Sequence, residues 1–529
     1  MKVNKILLVL LTTGMFVSCT NDAVEENMST PIGGQVETSY INVHVNSVYE
    51  SGTKASDGGF AEGTPEEQKV TTAHFFFFNN SGGAFEVNAE SLDPTDKPNV
   101  NYLVRNVADN GGSEDPNVET LTDAVLAIKN SKGEIPAYLV AVLNWDYDGA
   151  SLNLYDLKTT LVEEANLQGT KGFIMSNSVY ANGSNVVDAT PITAANITSS
   201  AADAVALGKP VEVYVERVAA KVALTQSGVK YDTGVANPGA SGGNVYAVVQ
   251  GWDINTTISH SNMVKKIDSA WDNGTLGFTW NDEPYFRSYW AQSVPIDATV
   301  TLKKNFSWNS LANAVGDADY CLENTSDVTG DNTKALVAVK FVDASDAPVT
   351  VAKLFADMMT VDGLKNTVAN SLAATYYYDN GGSKTTISPE HIELVVAGSA
   401  GHDSYKVTYK LTNAAEQLKW FVKVGSTYND ETAANINAKL AALEKAQVWN
   451  GMGYYIVDIE HLGTKNINGV VRNHTYAINV DDINGLGTPV YDGDNDVEEP
   501  IKPEDSEAFI AAQVKVLSWK LVNQNVTLK

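Results

Sequence analysis

Cysteine is nearly absent from this sequence of 529 residues, which contains only Cys19 and Cys321. Two cysteines cannot form a disulfide framework or supply a cysteine-ligated zinc site. Cys321 lies in the segment DADYCLENT, with no histidine nearby. It is therefore predicted to be a packed thiol and not a nucleophile.

Positive charge is also scarce. The 36 lysine and arginine residues are outnumbered by 64 aspartate and glutamate residues, which gives a formal net charge of −28. Such a surface repels phosphate, so a nucleic-acid binder that acts through a broad basic surface is excluded. The same charge argues against an anionic membrane surface as a partner.

Motifs for catalysis or metal binding are lacking. Residues 239–243 have the G-x-S-x-G pattern, but a loop precedes Ser241 and a strand-like run follows, unlike a nucleophile elbow. Asp492, Asp494 and Asp496 resemble the start of a calcium loop, yet valine and proline stand where its glycine and bidentate glutamate belong. A solvated acidic linker is the default interpretation, and we predict neither enzyme activity nor a cofactor.

The residues that are abundant favour β-structure. Hydrophobic residues make up 43% of the chain, which also contains 23 tyrosines and 40 glycines, as is typical of a strand-rich secreted protein. Residues 70–78 contain four consecutive phenylalanines and predict a strand that is buried on both faces. Further apolar runs predict strands at residues 137–144, 172–177, 211–224, 244–254, 333–342, 391–398 and 404–411.

A few short helices are predicted from apolar residues at helical spacing. The four apolar stripes are Leu121, Val125 and Ile128; Leu154, Leu157 and Leu161; Leu364, Val368 and Leu372; and Ile436, Leu440 and Leu443.

The first nineteen residues resemble the leader of a bacterial lipoprotein. Lys2 and Lys5 precede an apolar core that is too short to span a membrane comfortably. Cys19 stands where the apolar core ends and a polar stretch begins, so it is the predicted lipidation site. An ordinary signal peptide with a coincidental cysteine is the alternative.

A strand and then an exposed loop are predicted after the polar tether. Residues 40–47 alternate Ile41, Val43 and Val45 with polar residues, which indicates a half-buried strand. Residues 48–69 have no apolar period and predict an exposed loop of the kind that proteases cut. The bond between Lys54 and Ala55 suits a trypsin-like enzyme.

The C-terminus combines an acidic linker with a long apolar strand. Residues 489–507 are rich in aspartate, glutamate and proline and predict a stiff, solvated linker. In the run that follows, Ile510, Val514 and Val516 share one face. Leu517 and Trp519 then take the opposite phase, which predicts a bulge between Val516 and Leu517.

Several segments together resemble the type V fimbrillins of Gram-negative anaerobes, specifically the major shaft subunit of the short fimbriae. The most specific stretch is 470–476, within residues 454–487. The other segments that carry the resemblance are Cys19, the loop at 54–58, VEVYVERVAAKV around Glu216 and Arg217, GWDI at 251–254, and V-x-V-L-x-W at 514–519.

The resemblance implies a mainly β protein with two β-sandwich-like (transthyretin-like) domains, a few short helices and a C-terminal donor strand. It implies an exported lipoprotein that is moved to the outer-membrane surface, where a trypsin-like protease removes the first strand. A strand from another subunit then fills the groove, and the polymer supports adhesion and biofilm formation. The implied donor residues are Phe509, Ile510, Val514, Val516, Leu517, Trp519, Leu521, Val526 and Leu528. Arg472 and Asn473 are interpreted as structural residues that fix the turn before the next strand.

The implied partners are other copies of the chain, accessory fimbrillins, the processing protease and the outer membrane. The predicted segments are a signal peptide at 1–18, a lipid tether at 19–37, a propeptide at 38–54, β domains at 55–208 and 209–488, the acidic linker at 489–507 and the donor strand at 508–529.

One alternative function is that of an anchor or tip accessory fimbrillin. Another is a monomeric surface lipoprotein that binds glycan, with candidate platform residues Trp145, Trp252, Trp280, Trp290 and Trp308.

Overall fold

The structure is a computed structural model of the whole chain. The residues that it describes are 37–47, 60–87, 99–106, 120–121, 124–130, 134–169, 171–182, 185–239, 243–267, 291–304, 306–326, 328, 330–398, 405–459, 461, 469–494, 496–497, 509–520 and 525–526.

The strands of the first half are short and closely spaced. They are β1 (Glu37–Ser47), β2 (Phe60–Glu62), β3 (Thr72–Phe78), β4 (Tyr102–Asn106), β5 (Thr120–Leu121), β6 (Ala124–Asn130), β7 (Tyr138–Leu143), β8 (Leu161–Glu163), β9 (Gln168–Gly169), β10 (Gly172–Phe173), β11 (Met175–Asn177), β12 (Tyr180–Asn182), β13 (Asn185–Val187), β14 (Thr190–Pro191), β15 (Ile197–Thr198), β16 (Val211–Arg217), β17 (Ala219–Gln226), β18 (Tyr231–Ala236), β19 (Asn244–Asn255), β20 (Thr257–Ile258) and β21 (His260–Asn262).

The second half continues the same pattern. Its strands are β22 (Leu302–Lys303), β23 (Phe306–Ser307), β24 (Ala318–Leu322), β25 (Lys334–Val342), β26 (Val351–Leu354), β27 (Asp357–Met359), β28 (Tyr376–Asn380), β29 (Ser383–Thr386), β30 (Ile392–Val396), β31 (Lys406–Leu411), β32 (Trp420–Val424), β33 (Thr427–Glu431), β34 (Ala446–Trp449), β35 (Met452–Asp458), β36 (His474–Asn484), β37 (Thr488–Val490), β38 (Asp496–Val497), β39 (Phe509–Lys520) and β40 (Asn525–Val526).

The helices are few and short, which together with the strands confirms the predicted mainly β fold class. They are α1 (Pro65–Gln68), α2 (Leu154–Thr159), α3 (Ala201–Ala206), α4 (Val361–Leu372), α5 (Asn413–Glu416) and α6 (Ala433–Ala441). The predicted stripe Leu364, Val368 and Leu372 lies entirely on α4. Two members of each of two other stripes lie on helices, Leu154 and Leu157 on α2 and Ile436 and Leu440 on α6. Leu161 lies in β8, and Leu443 follows the end of α6. None of the helices in the described part of the chain has the length and hydropathy of a transmembrane span.

The helix predicted from Leu121, Val125 and Ile128 is wrong. Residues 120–121 form β5, and residues 124–130 form β6, in which Leu126 and Ile128 are buried. β6 pairs antiparallel with β1, from Glu37 opposite Asn130 to Val43 opposite Ala124. The apolar residues in this segment fit both the helical period and the alternating period of a strand. The long-range ladder with β1 stabilises the strand.

A large sheet organises the N-terminal part. Its strand order is β15-β1-β16-β11-β7-β3-β4, with β14 also pairing with β7 and β6 with β1. β3 lies between β7 and β4 and is buried along its whole length, so the prediction of a strand buried on both faces is confirmed. The first hydrophobic core packs against this sheet.

Two five-stranded sheets enclose a second core. Their strand orders are β2-β39-β36-β17-β24 and β18-β19-β25-β35-β37. The core contains apolar residues from both sheets, including Leu224, Val337 and Ile478. This pair of sheets therefore forms a sandwich, and β39, the long strand near the C-terminus, is part of one of its layers.

A third core lies between residues 352 and 448. The sheets β27-β26-β34-β31-β30 and β29-β28-β32-β33 contribute to it, together with Leu364 and Val368 of α4 and Ile436 and Leu440 of α6. The range 209–488 of the predicted C-terminal domain thus contains both of these cores, and a smaller cluster of Phe306, Leu336 and Tyr454 lies in the same range. The predicted domain boundaries themselves stay predictions.

Candidate functional site

β1 is an inner strand of the N-terminal sheet. One of its edges pairs antiparallel with β6 along residues 37–43. The other pairs with β15 at Tyr40 and Ile41 and then runs parallel to β16, from Val43 opposite Val211 to Ser47 opposite Val215. The first predicted strand is therefore confirmed. It is paired on both edges at residues 40, 41 and 43, and residues 44–47 pair with β16 on one edge.

The alternating apolar side chains of β1 fill the first core. Ile41 and Val43 have no exposed surface, and Val45 is 4% exposed. Asn42, predicted to lie on the polar face, is buried as well, and its Oδ1 has no hydrogen-bond partner in the described part of the chain. A buried amide oxygen without a partner destabilises the strand by about 1 to 3 kcal/mol. Apolar packing and backbone ladders therefore hold β1 in place.

Removal of β1 would create a long groove in the N-terminal sheet. The facing edges of β6 and β16 would lose their ladders. Leu126, Ile128 and Val213, which now have almost no exposed surface, pack in the same core cluster as Ile41 and Val43. A groove with free backbone groups and an apolar floor accepts an extended apolar strand.

β39 is the predicted donor strand and is called the terminal strand below. It pairs antiparallel with β36, from Asn484 opposite Phe509 to His474 opposite Ser518. The one register shift in this described ladder lies at Asp481 of β36, between the pairs Val480–Ala512 and Asp482–Ala511. The bulge predicted between Val516 and Leu517 is therefore wrong, because both residues continue the ladder without a shift.

The second edge of the terminal strand is also occupied. β2 pairs with it in parallel, Phe60 opposite Ser518, Ala61 opposite Trp519 and Glu62 opposite Lys520. Farther along, Asn525 and Val526 of β40 pair with Thr120 and Leu121 of β5. In this described sheet the terminal strand pairs with β36 along residues 509–518 and with β2 along residues 518–520, so the two ladders overlap at Ser518.

The predicted donor residues are only partly described. Six lie in the terminal strand, namely Phe509, Ile510, Val514, Val516, Leu517 and Trp519, and Val526 lies in β40. Leu521 and Leu528 fall outside the described residues, as do Cys19, Lys54 and Ala55. The lipidation site and the processing site therefore stay predictions.

The sequence reasoning missed β2 and α1, because residues 48–69 were predicted to be one exposed loop. A signal was present in Thr64, Pro65 and Glu67. The Thr64 side chain accepts from the Glu67 backbone, and the Glu67 carboxylate accepts from the Thr64 backbone at 2.7 Å. This capping box with proline in the first turn predicts a helix start.

Glu67 anchors α1 to the C-terminal sandwich. Its carboxylate pairs with Lys221 Nζ of β17 at 2.6 Å and accepts from the Tyr320 hydroxyl of β24. Arg217 Nε donates to its backbone oxygen at 2.9 Å. Burial raises the pKa of Glu67, but hydrogen bonds from Lys221, Tyr320 and the Thr64 backbone outweigh burial and hold it below its usual value. The chain just after β2 is therefore fixed.

A buried ionic cluster joins the N-terminal sheet to the first C-terminal sandwich. Glu216 at the end of β16 pairs with Lys265 at 3.0 Å, and both side chains are fully buried. Arg472 pairs with Glu323 and donates to the backbone oxygen of Met263 at 3.0 Å. Burial raises the pKa of Glu216, although Lys265 and Arg472 oppose that rise.

Arg472 and Asn473 form the turn before β36, as the sequence reasoning interpreted them. Asn473 adopts a φ of 58°, and its backbone nitrogen donates to the Ala219 oxygen at 2.6 Å. The Arg472 guanidinium is fully buried among acceptors. Both residues thus tie the start of β36 to neighbouring segments.

Cys321 and the acidic residues near Asp494 were the remaining candidates for nucleophilic or metal chemistry, and their contacts are those of structural residues. Cys321 is fully buried, and burial raises the pKa of its thiol, as a packed thiol requires. The Asp494 carboxylate accepts from Asn309 Nδ2 at 2.6 Å. Within the described ranges, no three acidic, histidine or cysteine side chains are grouped as metal ligands.

The candidate glycan platform is not assembled by the described tryptophans. Trp252 is buried and donates to the Ala314 oxygen at 3.0 Å, whereas Trp145 stacks on Tyr147 with ring centroids 4.3 Å apart. Trp280 and Trp290 fall outside the described residues. A cavity of about 490 Å³ is lined by residues that include Tyr155 and the ion pair Lys158–Asp188, and not by Trp145, Trp252 or Trp308.

Residues 448–525 match the family model described as "Major fimbrial subunit protein type IV, Fimbrillin, C-terminal". The matched range contains β36 and the terminal strand. No curated protein matches the chain. The predicted resemblance to the fimbrillins is therefore confirmed, with the family match lying in the C-terminal part.

Solved structures that are similar to the chain include three fimbrial proteins. A fimbrilin from Porphyromonas gingivalis is 15% identical, with a TM-score of 0.38 and coverage of 92% of this chain and 98% of that one. The tip fimbrial protein Mfa3 from the same organism, with a C-terminal truncation, is 10% identical, with a TM-score of 0.32 and coverage of 91% and 100%. A fimbrial assembly protein from Parabacteroides distasonis is 11% identical, with a TM-score of 0.28 and coverage of 74% and 100%.

Proposed function

We propose that this chain is a structural subunit of a surface fimbria that polymerises by strand exchange. The precursor is an exported lipoprotein acylated at Cys19. A trypsin-like protease cuts between Lys54 and Ala55, β1 leaves, and the terminal strand of another copy takes its place. The observation that carries the proposal is the inner position of β1 in a sheet whose first core it fills.

The cut is needed because β1 belongs to the same chain as its groove. A covalently attached strand has a high effective concentration at its own site, so a strand from another molecule competes poorly. Cleavage converts β1 into a separate peptide that dilutes away. The groove that remains between β6 and β16 then favours an incoming strand.

The terminal strand has the length and the apolar period of β1. It spans twelve residues against eleven. Ile510, Ala512, Val514 and Val516 repeat the alternation of Ile41, Val43 and Val45. Each large apolar side chain that becomes fully buried contributes about 1.5 to 3 kcal/mol, so the replacement strand can recover the burial that β1 provided.

The proposal places the protein at the cell outer membrane before assembly and in a fimbrium afterwards. Its partners are other copies of the chain, accessory fimbrillins and the processing protease. The polymer supports adhesion and biofilm formation, and a shaft subunit needs no catalytic group for that role. The match of residues 448–525 to a fimbrillin model supports this assignment.

Limited proteolysis tests the proposal directly. The chain that begins at Thr20 is treated briefly with trypsin, and the N-terminal sequence and the size distribution are followed together. We expect a cut after Lys54 and then a ladder of stable oligomers. Lys54→Ala should remain uncut and monomeric, and deletion of residues 508–529 should be cut and stay monomeric.

A matched pair of variants isolates the contribution of the donor face. Val514→Glu introduces a charge on the apolar face of the terminal strand, whereas Gln513→Glu introduces the same charge at the adjacent position of opposite phase. We expect Val514→Glu to reduce oligomer yield at least tenfold, because a charge cannot be buried in the groove without a large penalty. Oligomers from the chain that lacks 508–529, at the yield of the full chain, would refute the strand-exchange proposal.

A further inference from the structure

The predicted cleavage loop connects two strands that lie in different sheets. β1 ends at Ser47 in the N-terminal sheet, and β2 begins at Phe60 beside the terminal strand. The bond between Lys54 and Ala55 falls between them. A single cut at this bond therefore breaks the covalent connection between β1, which fills the groove, and β2, which flanks the predicted donor strand.

The predicted donor segment has three described ladders to break before it leaves its own subunit: β40 with β5, and the terminal strand with β36 and with β2. β36 pairs with the terminal strand along residues 509–518, and β2 pairs with residues 518–520 from the other side. An edge strand can separate from a sheet one hydrogen bond at a time. Ser518 is paired on both sides, and β2 also pairs with residues 519 and 520 beyond the end of the β36 ladder. β2 therefore opposes separation that starts at the end of the terminal strand nearest to the chain terminus.

β2 is covalently tethered on both sides while the chain is intact. On its C-terminal side, α1 is anchored through Glu67 to Lys221 and Tyr320. On its N-terminal side, the loop leads directly back to β1, which is held in the first core. After cleavage, only residues 55–59 precede β2, and a three-residue strand next to a new chain end frays readily.

We propose that β2 is a retaining strand that keeps the terminal strand on its own subunit until the precursor is cut. The same cut that frees the groove by releasing β1 also loosens β2, so that acceptor and donor become available together. This inference rests on the proposed strand exchange and specifies how that exchange is regulated. It requires contact between β2 and the terminal strand in the precursor and its loss during assembly.

Hydrogen exchange of the terminal strand tests whether cleavage loosens the hold of β2 on it, and this test does not depend on polymerisation. Exchange at residues 509–520 is measured in the uncut chain and in freshly cut monomer isolated by size, with Lys54→Ala exposed to trypsin as the control. We expect exchange to become about tenfold faster after the cut in the wild type only. Equal protection before and after the cut would overturn the inference.

A reversible cross-link tests whether β2 has to separate from the terminal strand during assembly. Phe60 and Ser518 are opposed residues of β2 and the terminal strand, so the double variant Phe60→Cys with Ser518→Cys places two cysteines across this pair. Cys321 is fully buried and does not compete. Tyr378→Cys with Thr385→Cys provides a matched pair across the hairpin of β28 and β29, far in sequence from both strands.

We expect the oxidised Phe60–Ser518 variant to be cut normally after Lys54 but to give at least tenfold fewer oligomers, with full recovery on reduction. The hairpin control should assemble like the wild type when oxidised. Wild-type assembly by the oxidised Phe60–Ser518 variant would overturn the retaining role of β2. Absence of oligomers in every cut protein, including the wild type, would instead refute strand exchange, and the hydrogen-exchange result would still decide whether β2 retains the strand.

Discussion

At the scale of single residues, Glu67 connects the processing region to the rest of the fold. Its side chain is 1% exposed and meets a lysine and a tyrosine from two neighbouring strands. Burial raises the pKa of the carboxylate, but hydrogen bonds from Lys221, Tyr320 and the Thr64 backbone outweigh burial, which is why its pKa lies below the usual value. The chain that follows β2 thus keeps a fixed position.

The Glu67 pair makes stability depend on pH in a defined direction. Because the folded pKa is lowered from 4.5, the stability that Glu67 contributes is present above pH 4.5 and is lost as the pH falls through the folded pKa. Glu67→Gln should lower the free energy of unfolding by about 2 kcal/mol at pH 7, since Lys221 loses its partner. Urea unfolding of both proteins between pH 7 and pH 3.5 measures the difference.

The other carboxylates are common to the wild type and Glu67→Gln. The difference in the free energy of unfolding between these two proteins therefore isolates the contribution of Glu67. Glu66→Gln, an exposed neighbour in the same helix, should change the free energy of unfolding by less than about 0.5 kcal/mol at any pH. A wild-type advantage over Glu67→Gln that does not shrink as the pH falls would contradict the lowered pKa.

At the scale of elements, β1 and the terminal strand have similar patterns and different surroundings. β1 runs parallel to β16 and antiparallel to β6. The terminal strand runs antiparallel to β36 and parallel to β2. β1 is paired on both edges at residues 40, 41 and 43, whereas the terminal strand is paired on both edges at Ser518. In the proposed strand exchange, the terminal strand of another copy takes the place of β1.

A substitution in β1 should affect the precursor and leave the polymer unchanged. Val43→Ala removes buried methyl groups from the first core and should lower the free energy of unfolding of the uncut chain by about 2 kcal/mol. After cleavage and assembly, β1 is gone, so polymers from the variant and the wild type should dissociate at the same denaturant concentration. Chemical denaturation of both states provides the measurement.

His44→Ala serves as the control within the same strand. The His44 side chain is 38% exposed beside Glu212, so its removal should cost the precursor less than about 1 kcal/mol. A polymer destabilised by Val43→Ala would mean that β1 stays in the assembled subunit, contrary to the proposed exchange.

At the scale of the whole molecule, strong negative charge opposes the association of identical subunits. Each chain carries a formal net charge of −28. Repulsion between like-charged molecules slows their encounter, and salt screens it. The hydrophobic groove and the backbone ladders act at short range and depend little on ionic strength. Association of cut subunits therefore combines a repulsive approach with an attractive contact.

Polymerisation of the cut subunit should accelerate with salt. Between about 10 mM and 150 mM ionic strength the Debye length falls from about 30 to 8 Å, so we expect the initial rate of oligomer growth to rise several-fold. Light scattering at a series of sodium chloride concentrations measures that rate. A rate that decreases with salt would indicate that complementary charged patches, and not net repulsion, control the encounter.

The sequence by itself determined the class of the fold and the position of several of the longer strands and helices. Alternating apolar residues predicted β1, continuous apolar runs predicted β3 and β19, and helical spacing predicted α4 and much of α2 and α6. Side-chain period is a local property of the chain. The motif around Val470 to Tyr476 indicated a resemblance to the fimbrillins, and residues 448–525, which contain it, match a fimbrillin C-terminal model. The Thr64–Glu67 capping box is a local signal of the same kind for α1.

Only the tertiary structure decided which strands pair. The apolar residues near Leu126 fit a helix or a strand until β1 supplies a ladder for β6. Phe60 to Glu62 carry no distinctive period, and their pairing with the terminal strand connects residues more than 450 positions apart. Backbone hydrogen bonds are chemically alike at every residue, so a partner strand is selected by the packing of the whole chain and not by the local sequence.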